Sequence, residues 1–130
     1  DEQGNYLEVF NYVRSTCLLA AVAAGVQPID AVYVDIKNST GLKLESKTAA
    51  DMGYTGKFTI HPSQIEIVNN AFTPSEKEIS EAAELIAAFA EHQASGKMAF
   101  SFNGQMVDMA HLKRAQKILD KATQIAGQTG

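Results

Sequence analysis

Two short runs constrain this chain more than any other feature. Ala31-Val32-Tyr33-Val34-Asp35-Ile36 is nearly all apolar and rich in β-formers, and Gly56-Lys57-Phe58-Thr59-Ile60 is a second short strand. The first lacks the apolar–polar alternation of a strand with one wet face, so it reads as buried on both faces, which is the habit of parallel sheets. Helical patterns surround the two strands. Tyr6 to Ala24 places Tyr6, Val9, Phe10, Val13, Cys17 and Ala20 at spacings of three and four, and Gly25 is its natural stop. A turn at Lys37 to Gly41 leads into a helix from Leu42 to Met52 that Gly53 ends. The second strand runs directly into His61-Pro62 and a helix from Pro62 to Phe72, with Pro at the first helical position.

Beyond Phe72 the pattern changes. Thr73-Pro74-Ser75-Glu76 reads as a capping box with Thr73 as N-cap. It opens an amphipathic helix that carries Ile79, Ala82, Ile86 and Phe89 and ends at Gly96. Met98 to Phe102 and Gln105 to Val107 flank Asn103-Gly104, the preferred pair for a tight hairpin turn. A last helix runs from Met109 to about Ala126, with Leu112, Ala115, Ile118 and Leu119 inward, and the tail from Gly127 to Gly130 is polar.

Two parallel strands cannot cover their own faces or close their edges. A complete (β/α)8 barrel takes about 250 residues, and this chain has 130. The α/β order therefore predicts the C-terminal portion of such a barrel in residues 1–72. Residues 73–130 form an appendage of helix, hairpin and helix. An opening at Asp1 rather than Met agrees with a piece of something longer; the alternative is a naturally short protein that completes its sheet by self-assembly.

Composition narrows the function. With 45% hydrophobic and 20% charged residues the chain can bury a core, which excludes disorder as its main state. A net charge of −4 from 11 basic and 15 acidic residues supplies no basic stripe for nucleic acid. The single Cys17 excludes a disulfide framework and a cysteine-rich zinc site, and it falls on the apolar face of the first helix, which predicts a core position. No apolar run approaches the roughly 20 residues of a membrane span. The glycines do not form a dinucleotide fingerprint.

Several runs together carry a resemblance. Tyr-Val-Arg-Ser at Tyr12–Ser15, Ala-Ala-Gly-Val-Gln-Pro-Ile-Asp at Ala23–Asp30 and Val-Tyr-Val-Asp at Val32–Asp35 are three of them. The most specific is Met52 to Ile65, which includes Gly-Tyr-Thr-Gly-Lys-Phe-Thr-Ile-His-Pro-Ser-Gln, followed by Phe72-Thr73-Pro74-Ser75. These resemble the C-terminal part of the citrate lyase β-subunit family, whose members are acyl-CoA-ester carbon–carbon lyases. Glu84–Phe89, Gly104–Met109 and Leu112–Gln116 are similar to its mitochondrial citramalyl-CoA lyase branch.

The resemblance implies a magnesium-dependent TIM-barrel enzyme, commonly a homotrimer. Its substrates would be a CoA thioester and a 2-oxo acid, with cleavage through a thioester enolate and the metal polarising the oxo-acid oxygens. It also implies that the metal-holding Glu and Asp precede this segment, and that the compartment is the mitochondrial matrix for the eukaryotic branch or the cytoplasm otherwise. A non-catalytic assembly or regulatory module derived from the same family is the alternative.

Asp108 is the acid/base residue that the resemblance implies, reaching a neighbouring subunit's site from the appendage. By position it is also the expected N-cap of the last helix. The family has Pro two positions later, where Ala110 stands here. His61 and Asp35 fall at the C-terminal ends of strands, the face on which barrels keep their sites. They and Gln64 are candidates for substrate binding, against structural readings as turn and loop residues. Lys57 begins its strand and reads as a surface or ion-pair residue. His92 and His111 show no zinc spacing.

Overall fold

The structure, a computed structural model, describes residues 7–94 and 99–127 and divides into two compact units that meet in sequence at Phe72 and Thr73. The helix start expected at Tyr6, the helix end expected at Gly96, the strand start expected at Met98 and the tail beyond Gly127 lie outside the described residues. No helix among the described residues is long and apolar enough to cross a membrane.

The first unit runs α1 (Glu8–Ala23), β1 (Ile29–Asp30), α2 (Ser39–Met52), β2 (Gly56–Lys57), a 3₁₀ turn (Pro62–Gln64) and α3 (Ile65–Phe72). β1 and β2 pair in parallel, Ile29 opposite Gly56 and Asp30 opposite Lys57. The ladder closes with the Phe58 N–H on the Asp30 carbonyl. The strand expected over Ala31 to Ile36 is thus a correction: the paired strand is Ile29–Asp30, and residues 31–35 continue without a ladder. Apolarity marks a segment for burial, but a strand also needs a neighbour's amides and carbonyls. One face of the pair is buried through Asp30 and Lys57, whereas Ile29 on the other face is exposed, as are Val34, Phe58 and Ile60 in the segments that follow.

The core of the unit is Leu18, Leu42, Ala49, Tyr54, Val68 and Phe72. α1 contributes Leu18, whereas Val9, Phe10 and Val13 are exposed and so is Cys17. The expected core role of Cys17 is therefore corrected. α1 also carries Arg14, whose guanidinium bonds Asp30 in bidentate fashion (3.3 and 3.0 Å) and whose carbonyl accepts from the Tyr54 hydroxyl (2.8 Å). On the same helix Leu18 packs into the core while the wider apolar stripe lies outside. α2 begins three residues earlier than expected, because the Asn38 side chain accepts from the Gly41 N–H at 2.8 Å and caps it. Gly41 leaves room there: a Cβ would stand 2.1 Å from the Tyr33 hydroxyl oxygen, so a larger residue would displace that side chain.

The second unit runs α4 (Glu76–Ala94), β3 (Phe100–Phe102), β4 (Gln105–Val107) and α5 (Met109–Gly127). The strands form the expected antiparallel hairpin, Phe100 opposite Val107, and Asn103 and Gly104 both take positive φ (49° and 79°). That is what a type I′ turn demands. Phe89, Phe100 and Val107 form the core, with Phe89 edge-on to Phe100 at 4.9 Å and the His92 ring stacked on Phe100 at 3.9 Å.

The capping box lies two residues later than expected. Ser75 caps α4: its hydroxyl receives the Glu78 N–H (3.3 Å), and the Glu78 carboxylate receives the Ser75 N–H (2.8 Å). Both Thr73/Glu76 and Ser75/Glu78 have the required spacing, and the reciprocal bonds form at Ser75 and Glu78. Ser75→Ala is expected to cost about 1 kcal/mol, read as a lower urea midpoint at unchanged slope.

Candidate functional site

The first unit places His61, Gln64 and Asp35 around the segments that follow β1 and β2. His61 caps the 3₁₀ turn: its Nδ1 accepts from the Ser63 N–H at 3.2 Å and lies 2.8 Å from the Ser63 hydroxyl. Accepting at Nδ1 puts the ring proton on Nε2, and the ring is exposed, so Nε2–H is available as a donor. Asp35 is exposed and accepts from the Lys37 N–H (3.2 Å), closing the turn before α2. Gln64 is different. It is 1% exposed, its amide oxygen accepts from the Ile60 N–H (3.0 Å), and its amide nitrogen donates to the Tyr33 carbonyl (2.8 Å). The Gln64 side chain thus ties together the two segments where the ladder has ended, and both ends of the amide are occupied in doing so.

Below them lies a buried ionic cluster. Lys57 Nζ bonds Asp30 Oδ2 at 2.8 Å and also pairs with Glu45. Arg14 holds the same Asp30. The Lys57 side chain is fully buried, where a surface position had been one of its two readings. Its two positive and two negative groups cancel, as charges withdrawn from water must. The sequence offers no signal for it, because positions 14, 30, 45 and 57 meet only through the parallel pair.

The second unit presents Asp108 at the start of α5. Its Oδ1 accepts from the Ala110 N–H (2.9 Å) and the His111 N–H (3.3 Å) and lies 2.8 Å from His111 Nδ1, which also stands 3.3 Å from the Asp108 backbone nitrogen. These hold the carboxyl below the ordinary carboxylate range, the His111 hydrogen bond first and the two backbone amides after it. Oδ2 has no partner among the described residues, and the side chain is more than half exposed. Asp108 is therefore both the cap of α5 and an ionised carboxylate with one oxygen free. The spacing of the histidines speaks against His111 as a zinc ligand and does not mark it as a partner of Asp108. Its place three residues after an N-cap Asp was the available signal.

His111 also lines an open groove of about 520 Å³ between α4, the hairpin and α5, with Leu85 and Ile118 on its apolar walls and Arg114 beside it. Among the described residues no three His, Cys, Asp or Glu side chains converge on a point that could hold a metal ion.

A parallel pair of strands, each followed by a helix, is the repeating unit of an α/β barrel, and the candidate polar groups lie at the carboxyl ends of these strands. The chain belongs to the carbon–carbon bond lyase family of the TIM-barrel fold, whose model matches residues 6–126. It is 51% identical over 114 residues to mitochondrial citramalyl-CoA lyase of Mus musculus, a match covering 88% of this chain and 34% of that relative. It is 31% identical over 126 residues to the L-malyl-CoA/β-methylmalyl-CoA lyase of Cereibacter sphaeroides, covering 97% and 40%. The CitE protein of Mycobacterium tuberculosis, solved with magnesium, acetoacetate and coenzyme A, superposes with a TM-score of 0.82 at 41% identity, over 95% of this chain and 45% of that one. The chain thus spans about a third of the length of the curated relatives it matches.

Proposed function

We propose that the protein to which this chain belongs cleaves a 3-hydroxyacyl-CoA of the citramalyl-CoA or malyl-CoA type to acetyl-CoA and a 2-oxo acid, pyruvate or glyoxylate. The observation that carries the reading is the 51% identity to a citramalyl-CoA lyase across both units. Magnesium belongs to the reading because the M. tuberculosis neighbour was solved with it. The described residues do not themselves form a metal site, so the chemistry argued for them is proton handling and substrate placement.

In the cleavage direction the substrate hydroxyl loses its proton and the carbon–carbon bond breaks. The electron pair passes to the thioester enolate, whose carbon must then be protonated. The ionised Asp108 Oδ2 takes the hydroxyl proton as the carbon–carbon bond breaks and returns it to the enolate carbon; in the reverse condensation it removes a proton from the acetyl methyl and passes it to the new hydroxyl. His61 Nε2–H and Asp35 are proposed substrate contacts, and Gln64 supports the segments that carry them. A homo-oligomer, a trimer in the family resemblance, lets Asp108 serve a neighbouring subunit. The mitochondrial relatives favour the matrix as its compartment.

The test is kcat/KM of the full-length, magnesium-loaded gene product with citramalyl-CoA and malyl-CoA side by side. A clear preference for either supports the reading and names the substrate. No acetyl-CoA from either overturns it.

A further inference from the structure

We propose that His111 is a positioning residue for Asp108: by donating from Nδ1 to Oδ1 it fixes the carboxylate so that Oδ2 alone meets the substrate proton. The inference rests on the reading of Asp108 as the acid/base group and deepens it. Its basis is geometric. Nδ1 lies 2.8 Å from Oδ1 and 3.3 Å from the Asp108 backbone nitrogen. One ring nitrogen cannot donate to the first and accept from the second at once. Accepting from the backbone would set two lone pairs against each other at 2.8 Å, so the proton lies on Nδ1 and points at the carboxylate.

With the amides of Ala110 and His111, this gives Oδ1 three donors and leaves Oδ2 as the one oxygen for chemistry. The same bond is the foremost cause that keeps the carboxyl ionised. The other ionisable groups lining the groove with His111 are Glu78 and Glu81 from α4 and Arg114 from α5; the hairpin contributes none. None of these three figures among the causes that move Asp108, so the coupling belongs to the His111–Asp108 pair.

His111→Ala and His111→Asn, made in the full-length magnesium-loaded enzyme, test it. Both retain Asp108 as the cap, and Ala is the best helix former, so the variants fold. Asn can place its amide nitrogen where Nδ1 stood. The expected result for His111→Ala is a fall in kcat of about tenfold or more, with the acid limb of the kcat/KM profile displaced to higher pH, because the carboxyl loses its strongest donor. His111→Asn restores much of the rate and returns the limb toward wild type. An acid limb of His111→Ala that superposes on wild type, while Asp108→Asn is inactive, overturns the positioning role and leaves the catalytic reading standing. Full turnover in Asp108→Asn overturns both.

Discussion

Replacing Asp108 with Asn is expected to lower turnover of the full-length enzyme by about 10²-fold or more while leaving its melting temperature close to wild type. The substitution separates the capping role that the structure shows from the acid/base role proposed for the same side chain. As a cap, Asn accepts backbone N–H groups about as well as Asp, so the bonds from Ala110 and His111 persist. As an acid/base it fails, because an amide oxygen neither takes nor returns a proton at working pH. Asp108→Ala removes both functions, and its loss of turnover is accompanied by a melting temperature lower by roughly 3 °C. Wild-type kcat in Asp108→Asn would return the residue to capping alone.

The pH dependence of the cap follows from the same geometry. The carboxyl is held below its ordinary value of 3.8 in the folded chain. A depressed carboxyl contributes stability that is fully present above the unfolded value and is lost as pH falls through the folded one. The contribution of the cap therefore persists at neutral pH and disappears only in acid, below about pH 4.

The largest stability effect is expected at Lys57. Lys57→Met removes the cation shared by Asp30 and Glu45, leaving Asp30 with Arg14 and Glu45 without its partner in the cluster. Breaking a buried ion pair from one side costs about 3–5 kcal/mol, because the remaining charge stays desolvated. Urea unfolding measures it as a fall in midpoint. A change under about 1 kcal/mol would mean that water reaches the cluster. Restoring charge balance in Lys57→Met/Glu45→Gln is expected to recover part of the loss, since the second substitution removes the orphaned carboxylate.

What could be read from the sequence divides along the range of the interactions involved. Gly53 ending α2 and Asn103-Gly104 turning the hairpin are local rules, and both appear as expected, with positive φ at each of those residues. The capping box was legible in kind but not in place, since two overlapping candidates share one spacing. The strand at Ala31–Ile36 was overread because an apolar run shows what must be buried, not which backbone will pair with it. The burial of Lys57 depends on Asp30 and Glu45, partners 27 and 12 residues away in sequence. Periodicity carries no trace of such a tie. At the candidate site, Asp108 was legible as a cap from its position, and the acid/base role proposed for it comes from the family resemblance. The pinning of Oδ1 by His111 required coordinates, because i,i+3 spacing alone does not say which nitrogen meets which oxygen.

The most direct measurement is release of acetyl-CoA from citramalyl-CoA by the full-length gene product in magnesium, with Asp108→Asn in parallel. The account predicts stoichiometric acetyl-CoA and pyruvate from the wild type and a loss of at least about 10²-fold in the variant. A folded, magnesium-supplied wild-type protein that releases no acetyl-CoA from citramalyl-CoA or malyl-CoA would contradict it.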